Sequence, residues 1–335
     1  MTGGADERVR RAVAEGVEAW FGPGALLEEF GEGREHSWSF QFRGLVGAAE
    51  RAVEIAVKVP RWDEAPSLGQ ALEAGSQADT RREFAELEAI RRAITEAGDE
   101  GLAAVQPVAY LAEVNAIVTE VIDAVPLRSR LSVRPDPSAL FAAAGRWLRF
   151  YHDRVGEASE QPFPAGELLA ELERAAAGAR RWPDLLRRYL DVARSALVAL
   201  DGVPVRAGLL HGDFNLSNVL VTGDGRVAVI DTNRAEGPVA LDLARLITDL
   251  RTHKGRALTF GLRPPSSAVR EWQAAFLSGY GDPPDPSLPA VRAAAVTERW
   301  ADIEARIAAV SPMSPEGIGL RIARRLMMRE VLGRA

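Results

Sequence analysis

The sequence predicts an α+β fold in two parts, an antiparallel sheet with one long helix followed by a mainly helical region. Three observations carry this reading. Strand-type apolar runs crowd into residues 25–122. Beyond residue 136 the apolar residues recur at helical spacing, punctuated by proline-rich turns. One strand–loop–strand segment, residues 209–234, interrupts the helical part and holds most of the polar residues suited to chemistry.

Residues 5–20 read as an amphipathic helix with Val9, Ala12, Val13, Val17 and Trp20 on one side, ended by Gly22-Pro23-Gly24. Its expected role is packing. Three antiparallel strands follow, at 25–30, 37–42 and 53–59. The turn between the first two runs from Gly31 through Gly33 to Ser37, with His36 expected in solvent at its tip. Glycine lets backbone amides come close to a phosphate, although a plain hairpin would look the same. A helix over 79–97 carries Phe84, Leu87, Ile90 and Ile94 on one face. Strands at 106–111 and 115–122 end the first domain, expected to span 1–123, with a second at 124–335.

The second domain opens with a helix over 136–155, with Pro137 in its first turn. Leu140, Phe141, Ala144, Trp147, Leu148 and Tyr151 form its buried stripe. Residues 165–200 read as one or two helices broken at Trp182-Pro183. Further helices are expected near 239–252, 266–280, 287–309 and 314–333. Pro264-Pro265 and the proline-rich run 282–286 separate them.

Composition removes several functional classes. Cysteine is absent, which excludes disulfides, thiol catalysis and thiolate metal sites. The net charge of −6 argues against a nucleic-acid partner, which calls for a basic footprint. No apolar run reaches the roughly 18 residues of a membrane span. The charged first sixteen residues lack the apolar core of a signal peptide, so a cytoplasmic location is expected. Lysine occurs twice, at Lys58 and Lys254, against thirty-nine arginines. A chain that uses arginine wherever a generic cation serves retains lysine where a compact ammonium is needed. Lys58 sits in the strand Val53–Val59.

The segment 209–234 reads LLHGDFNLSNVLVTGDGRVAVIDTNR. Apolar strand-like runs flank His211, Asp213, Asn215 and Asn218, and Asp231 follows the last run. Asp213, Asn218 and Asp231 form a hard-oxygen set suited to Mg²⁺ that phosphate oxygens also hold. Such a set suits phosphoryl transfer, which asks for positioning and charge neutralisation more than covalent chemistry.

The spacing H-x-D-x-x-x-x-N resembles the catalytic loop of the protein-kinase-like fold. With Gly212 in the second place and Asp231 thirteen residues after Asn218, the chain is similar to the aminoglycoside phosphotransferase and choline kinase-like family. That resemblance implies a two-lobed kinase-like fold that transfers the γ-phosphoryl group of ATP or GTP to the hydroxyl of a small molecule. The acceptors in play are a sugar, a glycan precursor, an amino alcohol or an aminoglycoside.

By the same resemblance Asp213 is the base or orienting carboxylate, and Asn218 and Asp231 hold Mg²⁺. Lys58 binds nucleotide phosphates, with Glu83 as its ion-pair partner and Glu86 as the alternative. Gly31, Gly33 and Ser37 correspond to the family's glycine and serine loop. Glu120 and Ile122 lie in a linker whose backbone meets the purine edge. His211 and Asp242 are expected as structural supports, and His152 as a packing residue. One departure stands out. Where the family commonly reads Asp, aromatic, acid, this chain reads Asp231-Thr232-Asn233. That change and the extra N-terminal helix motivate an alternative, a pseudokinase-type module that binds nucleotide or protein without turnover. Glu298, Asp302 and Glu304 interleave with Arg299 and Arg306, and this mixture does not announce a polycation pocket.

Overall fold

The computed structural model describes residues 3–36, 38–48, 51–61, 65, 67–73, 77–132, 134–177, 184–253, 264–281, 285–311 and 314–332. The chain divides into two compact units, Met1–Ala124 and Val125–Ala335.

The first unit runs α1 (Gly3–Phe21), β1 (Leu26–Phe30), β2 (Arg34–Glu35), β3 (Ser39–Ala48), β4 (Arg51–Pro60), α2 (Leu68–Glu73), α3 (Gln77–Ala97), β5 (Pro107–Leu111) and β6 (Ala116–Glu120). Its sheet has the order β1-β3-β4-β6-β5, and β2 also pairs with β3. Period-two alternation gives the sheet two unlike faces. Phe40, Phe42 and Val46 of β3, with Val53, Ile55, Val57 and Val59 of β4, are buried. They share a core with Val9, Ala12, Val13 and Val17 of α1, so the N-terminal helix is a packing element of this unit. Lys58 lies on the other face, in register with Gln41 and Ile117.

The first hairpin differs from its expected form. β1 ends with Phe30 opposite Gly44, whereas β2 places Arg34 opposite Gln41. Four steps along one strand match three along the other, so one extra residue sits at Gly31–Gly33 as a bulge. The turn itself lies between Glu35 and Phe40, closed by His36 N–H donating to the Ser39 carbonyl at 2.8 Å. β3 is also longer than expected. It pairs with β4 from Ser39 opposite Pro60 to Ala48 opposite Arg51.

The second unit contains β7 (Ala124–Pro126), α4 (Ser138–Arg154), β8 (Ser159–Pro162), α5 (Ala165–Ala177), α6 (Asp184–Val198), β9 (Pro204–Leu210), β10 (Val219–Thr222), β11 (Val227–Val229), β12 (Ala235–Pro238), α7 (Ala240–Thr252), α8 (Ser266–Tyr280), α9 (Leu288–Ala309) and α10 (Pro315–Leu332). Two small sheets, β11-β10-β7 and β12-β9-β8, carry the polar loops. Asp136, just ahead of α4, accepts from Ser138 N–H at 3.2 Å and from Trp272 Nε1–H at 2.8 Å. The Phe141 and Trp272 rings stack at 5.7 Å, fixing α4 against α8. The expected break at Trp182-Pro183 and residues 282–284 lie outside the described residues. No helix among the described residues is long and apolar enough to cross a membrane.

Candidate active site

The loop between β9 and β10 turns on Gly212. Its φ is +80°, and a Cβ there would fall 1.6 Å from the Asn233 carbonyl oxygen. Asn233 N–H in turn donates to the His211 carbonyl at 2.7 Å. Only glycine fits this crossing, which explains the His-Gly-Asp order.

One face of α7 holds the loop in place. Asp242, wholly buried, accepts His211 N–H at 2.8 Å and Gly212 N–H at 3.0 Å. Burial pushes its carboxyl up, but the hydrogen bond from His152 and the nearby Arg245 charge hold it net below the usual aspartate range. Arg245 donates to the Gly212 carbonyl. Asp249 accepts Leu216 N–H at 3.1 Å. Positions 242, 245 and 249 share one helix face.

Asp213 keeps part of its surface open while its carboxyl is crowded by the loop, and both of its oxygens are engaged. Asn215 Nδ2 donates to Oδ1 at 2.8 Å and Asn218 Nδ2 to Oδ2 at 2.8 Å. Asn215 also accepts the N–H groups of Ser217 and Asn218, at 2.8 and 3.2 Å, which fixes the turn. The crowding of the loop removes water from the carboxyl and pushes it above the usual aspartate range, against those two hydrogen bonds and the Arg245 charge.

Asp231 reaches the same loop. Ile230 N–H donates to the Asn218 carbonyl at 3.1 Å, so Asp231 lies between that bond and the Asn233–His211 bond. Its backbone is left-handed, with φ +60°, a conformation aspartate tolerates better than most residues. The Asp231 charge adds to the upward shift of the Asp213 carboxyl. Among the described residues no three carboxylate, imidazole or thiolate groups gather at one point. A magnesium ion needs no such cage, because it keeps waters and phosphate oxygens beside one or two protein oxygens. With Asn218 Nδ2 committed to Asp213, its Oδ1 is the atom left for a cation. The carboxamide and the Asp231 carboxylate are oxygen donors of the kind a hard divalent cation takes.

His211 is wholly buried and is no base. Its Nδ1 accepts Asp213 N–H at 3.3 Å, so Nε2 carries the proton. Trp147, Tyr151 and Phe214 meet the ring edge-on. Burial lowers its pKa to about 4. His152 is also buried. It bridges Tyr280 and Asp242, a polar role beyond the packing expected of it. Thr232 is buried with its hydroxyl unpartnered, while Asn233 and Arg234 are exposed.

In the first unit Lys58 Nζ donates to Glu83 Oε1 at 2.7 Å, with Glu83 buried on α3. Glu120 N–H donates to the Gln106 carbonyl and Val121 N–H to the Glu54 carbonyl. Strand pairing stops there, and Ile122 follows outside any strand. Gly31 N–H is spent on the Arg43 carbonyl at 2.9 Å, so this amide belongs to the sheet. Ser37 lies outside the described residues, as do Lys254 and the Asp302 side chain. Sequence reasoning missed Arg245 and Asp249. Their spacing of three and seven residues from Asp242 was the available signal.

A two-lobed kinase-like fold with this loop defines a phosphotransferase. The chain belongs to the phosphotransferase enzyme family, which it matches over residues 70–295. No curated sequence matches it at a significant level. Among solved structures it is similar to a glucosamine kinase in complex with glucosamine, ADP and inorganic phosphate, at 19% identity and a TM-score of 0.59, covering 96% of this chain and 86% of that one. The amicoumacin kinase hAmiN in complex with AMP-PNP, Ca²⁺ and Ami matches at 12% identity and 0.56, covering 98% and 96%. The choline kinase LicA from Streptococcus pneumoniae matches at 14% identity and 0.54, covering 97% and 99%.

Proposed function

We propose that this phosphotransferase moves the γ-phosphoryl group of ATP or GTP to a hydroxyl of a small molecule: a sugar, glycan precursor, amino alcohol or aminoglycoside. The observation that carries the reading is the Asp213 carboxylate, held on both oxygens and made more basic by its surroundings. The acceptor hydroxyl donates to Asp213. As its oxygen bonds to the γ-phosphorus, the bond to the bridging oxygen breaks, nucleoside diphosphate leaves, and Asp213 takes the proton. A loose transition state needs little deprotonation, so orientation by Asp213 matters as much as basicity.

Lys58, fixed by Glu83, contributes a point charge for the nucleotide phosphates, and Gly33 lets the hairpin backbone come near them. The Glu120 and Ile122 backbone reads the purine. Residues 1–123 are the nucleotide lobe and 124–335 the catalytic and acceptor lobe. Asn218 and Asp231 hold Mg²⁺, which when bound neutralises phosphate charge. The cytoplasm, where nucleotide is available, is the setting.

The Thr232-Asn233 departure favours one second reading, nucleotide binding without turnover. Thermal unfolding with ATP and Mg²⁺, against ATP and chelator, tests the site. At a hundred times its Kd the nucleotide stabilises the fold by about 2.7 kcal/mol. The gain is expected to vanish in Asp231→Ala, and no gain with either ATP or GTP refutes the assignment. ADP release with glucosamine, choline or spectinomycin then separates turnover from binding. Nucleotide binding with no release for any acceptor favours the second reading.

A further inference from the structure

A chain of buried polar groups runs from the surface to the catalytic loop. Asp153, at the C-terminal end of α4, pairs with Arg206 of β9, and with Arg149 Nε at 2.7 Å. An Arg206 guanidinium N–H donates to the Tyr280 hydroxyl at 3.2 Å. Arg149 also lies over the Tyr280 ring, 5.6 Å from its centre. The Tyr280 hydroxyl is 3.0 Å from His152 Nδ1, and His152 Nε2 is 3.1 Å from Asp242 Oδ2. Asp242 accepts the His211 and Gly212 amides that set the loop.

The sequence builds this chain through two glycines. A Cβ at Gly145 would fall 2.1 Å from the Phe276 carbonyl, and one at Gly279 would fall 2.1 Å from the Ala142 carbonyl. Both collisions are with backbone, so α4 and α8 cross closely only with glycine at these places. That crossing sets Tyr280 beside His152.

Hydrogen-bond directions follow from the donors. The guanidinium can only donate, so the Tyr280 oxygen accepts from Arg206 and its own proton is free to point at His152 Nδ1. Asp242 is a carboxylate and can only accept, so His152 Nε2 carries the ring proton and donates it, and Nδ1 is left to accept the Tyr280 proton. We propose that Tyr280, held by Arg206, is a positioning residue: it locks His152 in the Nε2–H tautomer, leaving Asp242 a carboxylate with both oxygens available to the catalytic loop. The lock itself stands on geometry alone; its consequence for presentation of Asp213 rests on the phosphoryl-transfer reading above.

The test needs no acceptor, so its failure is separable from failure of that reading. The chain has four histidines, which makes the ¹⁵N ring shifts of His152 assignable. Wild type is expected to show Nε2–H alone. Tyr280→Phe is expected to mix tautomers and to speed amide exchange at His211 and Gly212 by about tenfold. Arg206→Met is expected to move both readouts the same way, and it decides the matter if Tyr280→Phe fails to fold. His152→Gln supplies an N–H to Asp242 without help from Tyr280, so adding Tyr280→Phe to it should speed exchange no further. A wild-type His152 protonated at Nδ1, unchanged shifts and exchange in the variants, or additive losses in the double variant would overturn the proposal.

Discussion

Three side chains at the loop make separable predictions. Replacing Asp213 by Asn removes the proton acceptor and keeps a polar group of the same size. Phosphoryl transfer, followed as ADP release, is expected to fall on the order of 10²- to 10⁴-fold, with the Mg²⁺·ATP stabilisation retained. Equal loss of both would mean that Asp213 supports the fold. In wild type the carboxyl ionises above the usual aspartate range, so the rate should rise with pH through that raised value, and Asp213→Asn should lack this limb. Gly212→Ala forces a Cβ into the Asn233 carbonyl at positive φ. Urea melts should show a loss of roughly 3 kcal/mol or more. Thr232→Val replaces a buried hydroxyl without a partner by a methyl of like shape. Stability should hold or rise, by up to about 1 kcal/mol, because no hydrogen bond is lost. A melt showing a clear loss would mean that the hydroxyl has a partner in solution.

At the scale of elements, α7 shows how one amphipathic helix can serve both core and site. Leu243, Leu246, Ile247 and Leu250 are buried, while Asp242, Arg245 and Asp249 hold the loop backbone. Helices of this kind were legible in the sequence, because a 3.6-residue period over fifteen residues outweighs local noise. The expected helix over 266–280 is Ser266–Tyr280 in the structure. Short strands were not. Arg34–Glu35 and Ala235–Pro238 carry no alternating apolar pattern, and they exist because a neighbouring strand offers its edge. β3 runs on past the expected end at residue 42 to Ala48, through Gly44 and Gly47. Inside a ten-residue antiparallel ladder their weak propensity is overridden by pairing on both sides. The polar residues of the loop were legible from their spacing alone. The wiring behind them was not, since Arg206, Tyr280 and His152 meet only through tertiary packing.

For the molecule as a whole, acid stability should be governed by a histidine before any carboxylate. Burial holds His211 at about 4, well under the ordinary 6.5, so the unfolded chain takes up a proton between these values and the folded chain does not. The fold therefore loses stability as pH falls through this window, by up to 1.4 kcal/mol per unit and roughly 3 kcal/mol in all. Against a total stability on the order of 5–15 kcal/mol this is a large share. Asp242 acts lower. Its depressed pKa gives stability that is complete above the unfolded value near 3.8 and is lost only as pH falls through its folded one. Asp213 has the opposite sign: its raised pKa favours the fold at low pH, and that contribution is lost as pH rises through the folded value. Urea titrations at pH 7 and pH 4.5 should thus differ by about 2–3 kcal/mol in wild type. His211→Gln can still accept Asp213 N–H but takes up no proton, so its two titrations should nearly coincide. A variant that keeps the full wild-type difference would move the origin of acid unfolding to the carboxylates.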